Sequence, residues 1–129
     1  MRDLRQFIEV IIDGHIEDPA WISEFTDMEE ESTNSFFMVG NVFSITGHRI
    51  KLEGPDPSIG VYLVPVLDPT AKVKVARIVE NSASKILGVA PGSGFAQNRI
   101  EIRTQYSGSG SAHLKNVRII TSPFVLEQA

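Results

Sequence analysis

Asp56 stands between two prolines in the stretch "GPDPSIG", residues 54–60, and is the side chain whose neighbours most suggest chemistry. A loop carboxylate can act as a general base or as a cation ligand. A base needs a partner within reach and a perturbed environment. A cation site needs several oxygens, and no second acidic motif with calcium-loop spacing accompanies this one. The same residues also spell a turn. Gly54 and Gly60 admit backbone angles that other residues resist. Pro55 and Pro57 stiffen the path, and Asp56 can accept a bond from the backbone two residues on. The turn is the favoured reading.

Other polar residues divide between the same two readings. His15, His48 and His113 are isolated and share no metal-ligand spacing, so structural histidines are expected. Ser107, Ser109 and Ser111 lie in a Gly/Ser loop without a nucleophile elbow around them. The run Glu29, Glu30 and Glu31 reads as a solvated loop. "GSGFAQ" and "GSGSA" mimic phosphate loops weakly, but neither opens a helix after a parallel strand. Arg103, Tyr106, Lys115 and Arg118 carry the charge and the ring of a binding patch, and are equally the ordinary wet face of strands. With Asp56 and Ser58 they form the candidate binding surface. Trp21, beside Pro19, suits an exposed anchor for a partner or, preferably, a core plug where the first strand enters. No acid, base and nucleophile set emerges, so no enzyme, cofactor or metal is expected.

The bulk numbers bound the answer. A chain of 129 residues fits one domain with at most a short appendage, long enough for a core without staples. It has no cysteine, which excludes disulfides and thiolate metal sites. The net charge of −4 argues against the chain gripping phosphate backbones on its own, although a local basic patch remains allowed. No run reaches the roughly 18 apolar residues of a membrane span. Charges at Asp3, Arg5, Glu9 and Asp13 interrupt any secretion-signal core. A cytoplasmic location without membrane contact is the expectation.

The elements that must position these residues follow from periodicity. Leu4, Phe7, Ile8, Ile11 and Ile12 have helical spacing, which predicts a short helix at about 2–8 and an extended piece to Gly14. "EDPAW" breaks the pattern, giving an appendage over 1–21 and a domain over 22–129. From Trp21 the period is two. Strands are expected at "WISEFTD", "NVFSITG", "HRIKLE", "IGVYLVPV", "KVKVARIVE", "KILGVAP", "RIEIRTQYS" and "VRIITSPFVL", with Pro123 as a kink or an edge. Pro65 ends its strand or marks an edge. Short alternating strands separated by turns every ten or so positions indicate an all-β sandwich of seven to eight strands. Ile45, Ile50, Leu63, Val75, Ile86, Ile100, Ile102 and Ile119 are expected in the core.

These segments resemble a family. The pattern "G-x-x-I-K-x-x-G-x-D-P-S-x-G-V" covers Gly47, Ile50, Lys51, Gly54, Asp56, Pro57, Ser58, Gly60 and Val61. A later "T-x-Q-Y-S" and "L-K-x-x-R" cover Thr104 to Ser107, Leu114, Lys115 and Arg118. Over about residues 22–126 the chain is similar to the C-terminal immunoglobulin-like domain, of unknown function, of bacterial HU-like DNA-binding proteins. The leading "LRQFIEVIIDG" resembles the tail joining an HU-like domain to this module, and the HU-like body itself is missing. The resemblance implies an immunoglobulin-like sandwich acting as a non-enzymatic interaction module. DNA would be reached only indirectly, through the missing HU-like domain. Protein partners would be met by a sheet edge or by the loops 54–60 and 107–115. The alternative is a carbohydrate- or surface-binding sandwich, whose exposed aromatics would be Trp21, Tyr62 and Tyr106.

Overall fold

The computed structural model describes residues 19–108 and 112–129. The helix expected at 2–8, the extended piece to Gly14 and His15 lie outside the described residues. Two sheets face one another. The first contains β1 (Trp21–Asp27), β2 (Ser32–Thr33), β4 (Val42–His48), β7 (Ile78–Asn81) and β8 (Lys85–Val89), in the order β2-β1-β4-β8-β7. The second contains β3 (Phe36–Phe37), β5 (Gly60–Pro65), β6 (Val73–Lys74), β9 (Gln97–Tyr106) and β11 (Leu126–Gln128), in the order β3-β11-β9-β5-β6. β10 (His113–Thr121) also pairs with β9. Seven of these strands, β1, β4, β5, β7, β8, β9 and β10, have four or more residues. The rest are short pairings at the margins. The all-β sandwich expected from the alternation is therefore present.

The seam between the sheets holds Ile22, Phe25, Phe37, Phe43, Ile45, Ile50, Val61, Leu63, Val75, Ile86, Ile100, Ile102, Ile120 and Leu126. Burying each such side chain contributes roughly 1.5–3 kcal/mol. Phe25 stacks on Phe43, with ring centroids 5.1 Å apart, and meets Phe37 edge-on. In β1 the alternation slips: a bulge between Ile22 and Glu24 inserts Ser23, so Ile22 and Phe25 both face the seam.

Several expectations are corrected. Ile119 is 53% exposed, and its neighbour Ile120 is the buried one. The register pairs Ile120 with the inward Ile102 and Ile119 with the outward Arg103. Trp21 is no core plug: it is 44% exposed and stacks on His48 at 4.5 Å. "HRIKLE" is not a strand past His48, because Arg49 takes φ 56° and turns the chain. "KVKVARIVE" divides between sheets. Val73–Lys74 pairs with β5, buried Val75 crosses the seam, and Ile78–Asn81 pairs with β8. The last predicted strand breaks at Ser122, whose hydroxyl accepts from Ile100 N–H at 3.0 Å and donates to Phe124 O at 2.8 Å. β10 and β11 thus take successive halves of the same edge of β9.

Candidate functional site

The 54–60 loop is a corner pinned to β9. Asp56 Oδ1 accepts from Ser58 N–H at 2.8 Å and from Ser58 Oγ at 2.7 Å. Ile59 N–H closes the turn onto Asp56 O at 3.2 Å. The Ser58 backbone bond and then its hydroxyl hold the Asp56 carboxyl below the ordinary carboxylate range, and Arg103 adds to this. The carboxylate is occupied as a turn cap. Tyr62 Oη donates back to Ser58 O at 2.6 Å, tying the corner to β5.

The second anchor comes from the far motif. Gln105 Oε1 accepts from Asp56 N–H at 3.0 Å, and its Nε2 donates to Leu114 O at 3.1 Å. Its own N–H donates to Glu53 O at 2.9 Å. Gly54 passes against this side chain at φ 131°, and a Cβ there would stand 2.6 Å from the Gln105 Oε1. Thr104 Oγ1 donates to Lys51 O and accepts from Glu53 N–H. The "G-x-D-P-S" and "T-x-Q-Y" patterns are therefore two halves of one joint. Gln105 is buried although its position on the strand is outward, because the corner lies over it. No local pattern marks it beyond its place in the motif.

Beside the corner, the outer face of the second sheet carries a cluster that no single stretch of sequence announces. Cross-strand pairing sets Tyr62 between Lys74 and Glu101, and Gly60 beside Arg103. Residues so paired share a face. The Tyr62 ring centroid lies 5.6 Å from the Arg103 guanidinium carbon, 5.9 Å from Lys72 Nζ and 6.0 Å from Lys74 Nζ. These are cation–π distances. Gly60 leaves the space in which the Lys74 stem lies: a Cβ there would meet Lys74 Cε at 2.6 Å. Lys74 Nζ thereby reaches Pro57 O at 3.3 Å. Glu101 Oε2 accepts from Arg103 Nε at 2.6 Å and stands 3.7 Å from Lys72 Nζ.

The residues singled out from the sequence divide between faces. Asp56, Ser58 and Arg103 adjoin one another around Gly60 and Tyr62. Arg118 pairs with the inward Thr104, on the opposite parity to Arg103. Tyr106 is half-buried, with Lys51 Nζ 5.7 Å from its ring centroid. Lys115 is exposed in the irregular stretch of β10 between His113 and Arg118. Trp21 and Tyr62 belong to different sheets, so with the half-buried Tyr106 they form no common aromatic platform. His113 Nε2 lies 3.6 Å from Glu53, and His48 stacks on Trp21. Among the described residues no three His, Cys, Asp or Glu side chains are grouped to hold a metal. No helix among them is long and apolar enough to cross a membrane.

Comparison with known proteins agrees with the fold. A family model for a domain of unknown function with an immunoglobulin-like fold, DUF4469, matches residues 21–120. The crystal structure of a candidate bacterial DNA-binding protein from Bacteroides vulgatus is similar at 27% identity, with a TM-score of 0.75. The match covers 95% of this chain and 56% of that one, so this chain spans little more than half the length of that protein. No curated protein matches.

Proposed function

The chain belongs to the DUF4469 family of immunoglobulin-like domains, and from that membership we propose that it is a non-enzymatic binding module accompanying an HU-like DNA-binding segment. The observation that carries this reading is the unequal coverage. Nearly all of this chain aligns with only 56% of a candidate DNA-binding protein, which leaves room there for a further domain. In this reading residues 1–21 are the joining tail and residues 22–129 the module, working in the cytoplasm where the chromosome lies. The HU-like segment is the part that holds DNA. The module meets protein partners through the corner at 54–60, the loop at 107–115 or the edge of β10.

The side chains support a binding role over catalysis. The two aspartates whose carboxyls are held low, Asp27 and Asp56, are both occupied as hydrogen-bond acceptors within turns. Neither is poised to take a proton near neutral pH.

The test is to read the complete gene frame, express its whole product and titrate it against a labelled random duplex by fluorescence anisotropy. The reading expects an HU-like segment in that frame, and salt-dependent binding that weakens sharply when the segment is deleted. A frame without such a segment, or a whole product that leaves the duplex unbound at low salt, would overturn it.

A further inference from the structure

We propose that the outer face of the second sheet, where Lys72, Lys74 and Arg103 surround Tyr62, is an auxiliary contact surface for the phosphate backbone of a nucleic acid. This rests on the reading of the chain as companion to a DNA-binding segment, and adds a direct contact made by the module itself.

The charge balance of the cluster is the first ground. Three cations lie within 6.0 Å of one ring; Glu101 pairs with Lys72 and Arg103, and the Asp56 carboxylate also faces Arg103, so three cations meet two carboxylates and one positive charge is left in excess. The excess positive charge sits on a chain whose net charge is −4. A chain that is acidic overall gains nothing in solubility from bunching its cations, whereas an anionic partner is attracted by the local field.

The second ground is preorganisation. Glu101 holds Arg103 by Nε alone, and no described atom accepts from its terminal Nη1 and Nη2. Those two donors form the fork that matches a phosphate's oxygens. Lys74 is laid across Gly60 and fixed to Pro57 O, so less side-chain freedom is lost when an anion arrives. Arg99 extends the row: it is outward on β9, paired with Val64, four residues before Arg103. At about 3.3 Å per residue the two arginines stand about 13 Å apart along the strand. A line of cations of this length suits a polymer with repeated charges better than a single ion.

The chemistry favours backbone over base recognition. The Tyr62 ring is covered by its cations and its hydroxyl is engaged with Ser58 O. It offers no open stacking surface for a base, so the contact is independent of sequence.

The experiment uses the 129-residue chain and a labelled random-sequence duplex, followed by NMR chemical shifts and anisotropy. Three phosphate contacts predict weakening of about 40-fold between about 50 and 200 mM salt. The double reversal Lys72→Glu with Lys74→Glu should weaken binding at low salt by at least about tenfold. The equal charge change Arg77→Glu with Lys85→Glu, at the first sheet and away from the cluster, should weaken it far less. Both pairs are on the surface, and a thermal melt checks that each variant folds. Undetectable binding at low salt would overturn the inference, as would equal loss in the two double variants or equal competition by a poly-glutamate peptide. None of these outcomes touches the proposal of an HU-like companion, which falls only with the reading frame and the whole product's own titration.

Discussion

Two aspartate-centred turns serve the two ends of this domain, and they differ in where their carboxylates sit. Asp27 closes β1 and is fully buried. Its Oδ1 accepts from Glu29 N–H at 3.1 Å and Glu30 N–H at 3.0 Å, and its Oδ2 from Met38 N–H at 2.9 Å. The Asn41 amide reaches both oxygens. Burial alone would raise its pKa, but the bonds from Met38, Glu30, Asn41 and Glu29 together outweigh that and hold it low. Asp56, by contrast, is only half-buried, and its carboxylate accepts only within its own turn. Similar acceptor chemistry thus ties a later segment to the end of β1 at Asp27 and shapes a single turn at Asp56. The corner at Asp56 owes its attachment to Gln105 instead.

Removing the buried hub should have the largest effect. Asp27→Ala removes the buried acceptor of four donors, from its own turn and from residues 38–41, and should lower unfolding free energy by about 3 kcal/mol in a urea titration. A loss as small as a surface substitution gives would erase the contrast. Next comes the clamp of the other turn. Gln105→Ala should reduce stability by about 1–2 kcal/mol and speed amide exchange at Asp56 before the core exchanges. Unchanged exchange there would mean the corner holds itself.

Acid sharpens the comparison further. A carboxyl whose folded pKa is depressed contributes stability that is present above its unfolded value, about 3.9, and lost as pH falls through the folded value. The protein should therefore weaken from about pH 4 downward, and Asp27→Asn should flatten that decline while lowering stability at neutral pH. Urea midpoints at neutral pH and near pH 3 measure both. The smallest effect belongs to Asp56→Ala, whose melting temperature should stay near that of the parent while the Ser58 amide exchanges faster. A melting loss matching that of Asp27→Ala would show that exposure does not separate the two.

What could be read beforehand follows the same division. Asp56 was visible because prolines and glycines around an aspartate spell a turn within seven residues. Asp27 sits in "FTDMEEE" and looks like one more acid in a solvated run. Its partners Met38 and Asn41 come from a later segment, and no local pattern announces them. Arg103 was correctly marked as outward. That Lys72, Lys74 and Tyr62 gather beside it is not legible in any one strand, because they reach it across β5 and β6. Arg118 was placed beside it on type alone, while the irregular register of β10 puts it on the other parity. The same register exchanged Ile119 for Ile120. Strand alternation names two faces but cannot say which faces the core once a bulge intervenes.

The sequence by itself determined the sandwich class, most of the strand segments and most of the core, since period-two burial is a local property that turn residues punctuate. Tertiary structure alone decided that one run of residues would serve both sheets, that Gln105 would lie beneath a loop, and that three cations would gather on Tyr62. Those outcomes depend on which strands become neighbours and in what register, and pairing between distant segments is fixed only when the whole seam closes.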